Sequence, residues 1–278
     1  MIDSHCHIQF NAYKDDYEQV IATCRAKGVV LNAVGSQIDT SRRAVEFAEK
    51  YDDIYATIGL HPVHLSSTEV SEDEIQFKSR EEKFDYAEYK KLAQHPKVIG
   101  IGECGLELFH LPKDANKEEI IKTQTEGFLE QYKLAQEFDL PLVIHVRDAH
   151  TEMINLLKTL PTPTKGVVHC FTGNWQQAQE YLNLGLYLGF TGVITFPPKK
   201  TDPQPQIDLI EVAKKAPLDR ILIETDAPYL APQAYRGKRC EPWMVIEVAK
   251  QLAIFRNKEL AEIDEITTAN AKKLFRIK

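Results

Sequence analysis

The sequence predicts an α/β protein that folds as a single (β/α)8 TIM barrel. Short β-rich runs alternate with amphipathic helical patterns from one end of the chain to the other, and eight such runs can be counted. This alternation is typical of parallel strands joined by crossover helices, and eight strands favour a closed barrel. An open doubly wound sheet is the alternative.

The predicted elements follow one another in a regular order. Strands are predicted near 1–7, 29–35, 54–60, 97–103, 142–146, 165–170, 186–191 and 220–225. Helices are predicted at about 14–27, 40–51, 116–138, 148–159, 174–184, 205–214, 242–255 and 260–275. A charged segment, 71–91, is expected to be a surface helix or an insertion. Proline-rich loops at 196–205 and 231–242 follow strands, so we expect them to border a site on the barrel rim.

Length and composition restrict the class of protein. A chain of 278 residues with 43% hydrophobic residues can bury one large core, so we expect a single domain over 1–278. A net charge of -7 argues against a broad nucleic-acid-coating surface but allows a local basic patch. Five scattered cysteines without a Cys-x-x-Cys pair suggest neither a disulfide framework nor a zinc knuckle. No membrane segment, targeting segment or obligate protein partner is indicated, and we expect a cytoplasmic protein.

Two histidines near the start of the chain suggest a metal site. His5 and His7 are one residue apart on a predicted strand, so their imidazoles point the same way. Imidazole is a common metal ligand near neutral pH. Two polar strand residues without a ligand are the plainer interpretation, and the other strand ends weigh against it.

Further metal-ligand residues lie at or just after the ends of other predicted strands: Glu103, His145, His169 and Asp226. In a closed barrel these ends meet at one rim, where six ligands exceed the needs of one tetrahedral ion. We therefore predict two divalent ions, with Glu103 as the bridging ligand. Asp226 is predicted to bind an ion and to accept a proton from the attacking water.

Eight short motifs are spread over the whole chain: Asp3-Ser4-His5-Cys6-His7, Gly59-Leu60-His61-Pro62, Ile101-Gly102-Glu103-Cys104-Gly105-Leu106, Leu140-Pro141-Leu142-Val143-Ile144-His145, His169-Cys170-Phe171-Thr172-Gly173, Glu224-Thr225-Asp226-Ala227-Pro228-Tyr229, Arg236-Gly237-Lys238-Arg239 and Thr268-Ala269-Asn270-Ala271. In these motifs the chain resembles the TatD-like metal-dependent hydrolases over essentially its whole length. The resemblance implies a TIM barrel of the metal-dependent hydrolase type and a divalent-metal site built from the same six residues. It also implies metal-dependent deoxyribonuclease activity, with Mg or Mn.

Three positions depart from the family pattern: Glu107 replaces the usual Asp after Gly-Leu, Val146 replaces a common Ser, and Cys240 replaces a frequent Asn. None of them is a predicted ligand, so these departures do not affect the prediction of a metal site. They leave the identity of the substrate undecided. The resemblance suggests that His61 contacts substrate, although a loop histidine that caps backbone is equally consistent.

Candidate substrate and supporting residues surround the predicted ligands. Four cations in positions to meet a phosphodiester, or to remain solvated surface charges, are Arg147, Arg236, Lys238 and Arg239. Asp3 and Glu224 share strand faces with ligands and are predicted to orient them. The aromatic candidates for stacking an unpaired base are Phe171, Phe196, Tyr229 and Tyr235, although such residues more often pack.

The leading functional hypothesis is a divalent-metal-dependent hydrolase of phosphodiester bonds, a single-strand DNA exonuclease in which two ions activate a water. Histidines with carboxylates suit Zn, Mn, Co or Fe, whereas Mg usually prefers oxygen ligands. With the Mg or Mn that the resemblance implies, we expect two divalent ions that are Mg, Mn or Zn. An ester or amide hydrolase, such as a D-aminoacyl-tRNA deacylase, uses the same kind of site. A non-catalytic nucleic-acid or metal-binding protein is the third hypothesis, and the complete ligand set argues against it.

Overall fold

Eight parallel strands form the central sheet of the protein. The computed structural model describes residues 1–66, 69–72, 75–79, 81–111, 115–161 and 164–277. In chain order the strands are β1 (Ile2–Cys6), β2 (Val30–Val34), β3 (Ile54–Ile58), β4 (Glu69–Glu72), β5 (Ile75–Lys78), β6 (Val98–Glu107), β7 (Leu142–Arg147), β8 (Gly166–Val168), β9 (Tyr187–Phe190) and β10 (Ile221–Ile223). β4 and β5 form a separate antiparallel hairpin, and the others form one sheet in the order β1-β2-β3-β6-β7-β8-β9-β10.

Helices connect the strands and cover the outside of the sheet, as the alternating pattern predicts. They are α1 (Tyr17–Ala26), α2 (Ile38–Lys50), α3 (Tyr86–Ala93), α4 (Lys117–Phe138), α5 (His150–Lys158), α6 (Trp175–Asn183), α7 (Gln204–Lys215), α8 (Val245–Arg256) and α9 (Leu260–Phe275). The charged segment 71–91 is an insertion that contains β5, part of β4 and the start of α3; positions 73, 74 and 80 lie outside the described residues. In the described part of the chain, no helix has the length and apolar character needed to span a bilayer.

The first and last strands meet and bring the sheet round into a barrel. Backbone N–H groups of Asp226 and His7 donate to the carbonyls of His5 and Ala227, at 2.9 and 2.7 Å. Beside this seam the Asp3 carboxylate accepts hydrogen bonds from the backbone and the hydroxyl of Thr225, at 2.9 and 2.6 Å. The predicted (β/α)8 barrel is therefore confirmed, and the open doubly wound sheet is excluded.

The fourth barrel strand is longer than the sequence pattern predicts, because β6 continues past Glu103 to Glu107. Its register against β7 shifts between Ile101 and Cys104, so the irregularity falls at Gly102 and Glu103. Gly102 has φ +153°, and a Cβ there would lie 2.4 Å from the carbonyl oxygen of Val143. Glycine is therefore required where the strand changes register and presents Glu103.

Helix α4 fixes the loop that follows β3. The side-chain amide of Gln131 accepts from the backbone N–H of Leu60 at 2.8 Å and donates to the Leu60 carbonyl at 2.9 Å. Gln131 is buried, so water does not replace these bonds. The clamp holds the backbone immediately before His61.

We expect Gln131→Met to lower the free energy of unfolding by roughly 2 kcal/mol, because a side chain of similar size leaves two buried backbone groups unpaired. Urea denaturation followed by circular dichroism measures the change. Gln136→Met is the control, since Gln136 is exposed on the same helix. Equal losses in the two variants would show that the clamp contributes nothing specific.

Candidate metal centre

The six predicted ligands come together at one end of the barrel. His5 lies in β1 and His7 directly after it, Glu103 lies in β6, and His145 lies in β7. His169 follows β8, and Asp226 follows β10 by three residues. These positions are at the carboxyl ends of parallel strands, where barrel enzymes carry their active sites.

One oxygen of the Glu103 carboxylate faces the predicted ligands at the seam between the first and last barrel strands. Glu103 Oε2 lies 3.5 Å from His5 Nε2 and 3.9 Å from His7 Nε2. Asp226 Oδ1 lies 3.6 Å from His5 Nε2 and 3.3 Å from His7 Nε2. These two carboxylates and two imidazoles form the first group of candidate ligands.

The other oxygen of Glu103 faces a second group. Glu103 Oε1 lies 2.8 Å from His145 Nδ1, 3.1 Å from His169 Nε2 and 3.4 Å from His61 Nε2. His145 thus faces this oxygen with its Nδ1 atom, whereas His169 faces it with its Nε2 atom. His61, predicted to contact substrate, stands close enough to join the candidate ligands, while its Nδ1 accepts from the backbone N–H of Val63 at 3.1 Å.

The outward-facing nitrogens of three histidines have their own partners. His7 Nδ1 lies 2.7 Å from the carbonyl oxygen of Val34. His169 Nδ1 lies 3.1 Å from Glu224 Oε1, and His145 Nε2 lies 3.1 Å from Glu107 Oε2. Carboxylate or carbonyl partners of this kind orient metal-binding imidazoles and increase their basicity.

The buried side chains fit divalent cations. Among the described residues, neither ring nitrogen of His5 has a hydrogen-bond partner, although the ring is fully buried. Three sets offer ligand atoms that lie within 4.8 Å of one another: His5, His7 and Glu103; His5, His169 and Asp226; His61, Glu103 and His145. Mixed imidazole and carboxylate donors suit Zn or Mn, whereas Mg usually prefers oxygen ligands.

The protonation of the site reflects its close charges. Burial opposes ionisation of Glu103, but the charges of His61 and His169 outweigh burial and hold the pKa of this carboxyl well below its ordinary value. Burial favours neutral His145, yet hydrogen bonds to Glu103 and Glu107 raise the pKa of His145 to about 9. Burial and the neighbouring His169 lower the pKa of His5.

The predicted supporting carboxylates lie next to the ligands. Asp3 accepts from the backbone N–H of His5 at 3.3 Å and from Thr225, so it fixes the barrel seam. Glu224 accepts from the backbone N–H of Cys170 at 2.6 Å and from the Ser4 hydroxyl at 3.1 Å, in addition to its contact with His169.

The four predicted substrate cations occupy different surroundings. Arg147 stacks on Phe109, with Cζ 3.9 Å from the ring centroid, and Arg236 lies 4.6 Å from the Phe196 centroid. Lys238 lines a surface groove of about 610 Å³. The guanidinium of Arg239 donates to the Asp16 carboxylate at 2.6 and 2.9 Å, which joins the last rim loop to the start of α1.

Two features of the site differ from the sequence expectation or were missing from it. Phe171 is buried against His150 and Tyr181, so it is not available to stack a base. Glu107, noted only as a departure from a family pattern, contacts His145. The extra length of β6 brings Glu107 to the rim, and the predicted strand end at 103 concealed it.

A parallel barrel with imidazoles and carboxylates converging at its carboxyl end has the architecture of metal-dependent hydrolases. Comparison with known proteins agrees. Residues 2–276 match the model of the family described as TatD related DNase. The chain is 40% identical to an uncharacterized metal-dependent hydrolase, YabD, of Bacillus subtilis, over 100% of this chain and 99% of the relative.

Two further comparisons extend this result. The chain is 34% identical to the 3'-5' ssDNA/RNA exonuclease TatD of Cronobacter sakazakii, with 99% of this chain and 97% of the relative covered. The crystal structure of YjjV, a TatD homolog from Escherichia coli K12, matches with TM-score 0.84 and 29% identity over 100% of this chain and 98% of that one. The protein described here belongs to the TatD-related DNase family and is a metal-dependent hydrolase of that family.

We expect Glu224→Gln to weaken divalent-metal binding by about 10- to 100-fold, because the neutral amide lacks the negative charge that increases the basicity of His169. Competition with a chromophoric chelator measures the affinity. Ser4→Ala is the matched control: it removes the hydroxyl that donates to Glu224 but keeps the carboxylate beside His169. Identical affinities for wild type and Glu224→Gln would remove Glu224 from this role.

Proposed function

We propose that this protein is a divalent-metal-dependent phosphodiesterase that shortens single-stranded DNA from an end and uses two ions. The observation that carries the proposal is the arrangement of Glu103, whose two oxygens face two different groups of imidazoles. A carboxylate in this position can bridge two cations. The remaining predicted ligands divide between its two sides.

The residues on each side of Glu103 have distinct tasks in this proposal. His5, His7 and Asp226 would hold one ion, and His145 and His169 would hold the other, with Glu103 shared. Two such ions would polarise a phosphoryl group and supply a nucleophilic water near neutral pH. Glu224 and Glu107 would keep the imidazoles of His169 and His145 turned towards the reacting group.

Asp226 is the best-placed proton acceptor among these side chains. Its side chain is 16% exposed, whereas that of Glu103 is 5% exposed, so substrate and water reach Asp226 more readily. The pKa of Asp226 is lowered because hydrogen bonding to His7 and the charges of His169 and His5 outweigh burial, so the carboxylate is ionised near neutral pH. An ionised carboxylate beside the nucleophile accepts its proton directly.

The choice of substrate follows the relatives and the cations at the rim. A relative named a 3'-5' ssDNA/RNA exonuclease is 34% identical over nearly the whole chain, which supports a nucleic-acid substrate and cleavage from the 3' end. Arg147, Arg236 and Lys238 are proposed to bind phosphates, and Arg239 to do so while joined to Asp16. The predicted cytoplasmic location is part of this proposal.

We expect Glu103→Gln, and separately Asp226→Asn, to lower the turnover of an end-labelled single-stranded DNA by at least ~100-fold while the barrel remains folded. The reason is that each variant replaces a negatively charged carboxylate among the proposed metal ligands with a neutral amide. Gel electrophoresis of the products with Mn or Mg, and with EDTA, measures the rate. Turnover close to that of wild type in either folded variant would contradict the role of that residue.

Glu130→Gln is the matched control for both variants, because Glu130 is exposed on α4. Its turnover should equal that of wild type, and the surviving end label reports the direction of cleavage. If the wild-type protein binds metal but leaves DNA intact, the nuclease proposal is wrong. D-aminoacyl-tRNA would then be the next substrate to test in the same preparation.

We expect metal-loaded wild-type protein to hold two divalent ions per chain and Glu103→Gln to hold fewer. The shared carboxylate is the contact common to both groups of candidate ligands. Native mass spectrometry after loading with Mn or Zn counts the ions directly. One ion per wild-type chain at saturation would rule out the two-ion arrangement.

A further inference from the structure

The rim beside the candidate metal centre carries an aromatic side chain that the fold does not bury. Phe109 is 52% exposed. It lies two residues beyond the end of β6, the strand that contains Glu103. Single exposed hydrophobic residues are common on protein surfaces, so exposure alone assigns no role to Phe109. Its neighbours do.

The Phe109 ring is paired with a cation that belongs to the site. The Arg147 guanidinium lies over the ring, with Cζ 3.9 Å from the centroid. Arg147 is two residues beyond His145 in β7, so both side chains are on the same strand face and are about 6.6 Å apart along the strand. The pair formed by Phe109 and Arg147 therefore lies just beyond His145 in the direction of the strand, at the carboxyl end of the barrel.

Hydrogen bonds fix the loop that carries the ring. The Glu107 carboxylate accepts from the backbone N–H groups of Phe109 at 2.7 Å and His110 at 3.1 Å. Its other oxygen lies 3.1 Å from His145 Nε2 and 3.3 Å from His110 Nδ1. Gln124 pairs with both backbone groups of Glu107 at 2.9 Å. One buried carboxylate thus sets the positions of His145 and of the loop bearing Phe109.

We propose that Phe109 and Arg147 form a binding subsite for one unpaired nucleotide next to the scissile phosphate, with the base stacked on the ring and the guanidinium beside its phosphate. A fixed aromatic ring accepts any unpaired base, because every base has a π-face. Arginine both stacks and pairs with phosphate. The subsite rests on the proposed function, since it assigns the substrate a single-stranded end rather than a paired one.

Kinetics with modified strands test the subsite. We expect Phe109→Leu to raise KM for a short single-stranded DNA about tenfold, with kcat within about twofold of wild type. A second set of strands each has one abasic nucleotide near the cleaved end. With wild-type protein, we expect the abasic nucleotide to raise KM about tenfold at one position in the strand. With Phe109→Leu, the abasic nucleotide at that position should not raise KM any further, because the variant and the abasic strand both remove the same stacking contact.

Phe255→Leu is the matched control. Phe255 also lies beside a cation, with Lys214 Nζ 5.6 Å from its centroid, but it is near the end of α8, at the opposite end of the barrel. This variant should behave like wild type with every strand. If Phe109→Leu matches Phe255→Leu, or if abasic positions remain costly in Phe109→Leu, the subsite is overturned while DNA cleavage by wild type still stands.

A binding experiment separates the subsite from catalysis. A single strand containing 2-aminopurine loses fluorescence when that base stacks, so titration with wild-type protein in EDTA reports stacking without cleavage. We expect quenching with wild type and with Phe255→Leu, and its loss with Phe109→Leu. Absence of quenching with wild type would overturn the subsite, whereas quenching without hydrolysis in metal would leave the subsite and overturn the nuclease proposal.

Discussion

The arrangement at the end of this barrel depends on one buried carboxylate. Glu103 is almost completely withdrawn from water, and an isolated carboxylate in such a place is strongly unfavourable. Its two oxygens are compensated by different imidazoles: Oε2 faces His5 and His7, and Oε1 faces His145 and His169. Because these histidines come from three other strands, the charge of Glu103 is stabilised only in the assembled barrel.

The surroundings of the histidines make the site stiff. Glu224 lies behind His169 and also accepts from the backbone N–H of Cys170, the residue after His169. Glu107 lies behind His145 and also accepts from backbone N–H groups of its own loop. A rotation of either ring would break contacts on both sides of the imidazole. Preorganisation of this kind allows a metal centre to bind cations without rearranging the chain.

The alternating pattern was sufficient to predict the barrel, and strand-end chemistry was sufficient to predict which six side chains would meet. What escaped prediction depends on three-dimensional detail. β6 changes register at Gly102 and continues as far as Glu107 at the rim, and hydrophobic periodicity reports neither feature. The burial of Phe171 against α5 and α6 is likewise set by helix packing, which strand-end position alone does not encode.

The seam between the first and last strands has a consequence for how the protein is made. His5 and Asp226 are neighbours in space, yet 221 positions separate them in the chain. During synthesis, His5 and the other early candidate ligands are therefore made long before Asp226. Contacts between residues so distant in sequence also form slowly during folding. In the proposed mechanism, which needs both His5 and Asp226, the chain would have no activity until its last barrel strand had been made. A proteolytic fragment lacking either terminal strand would be inactive for the same reason.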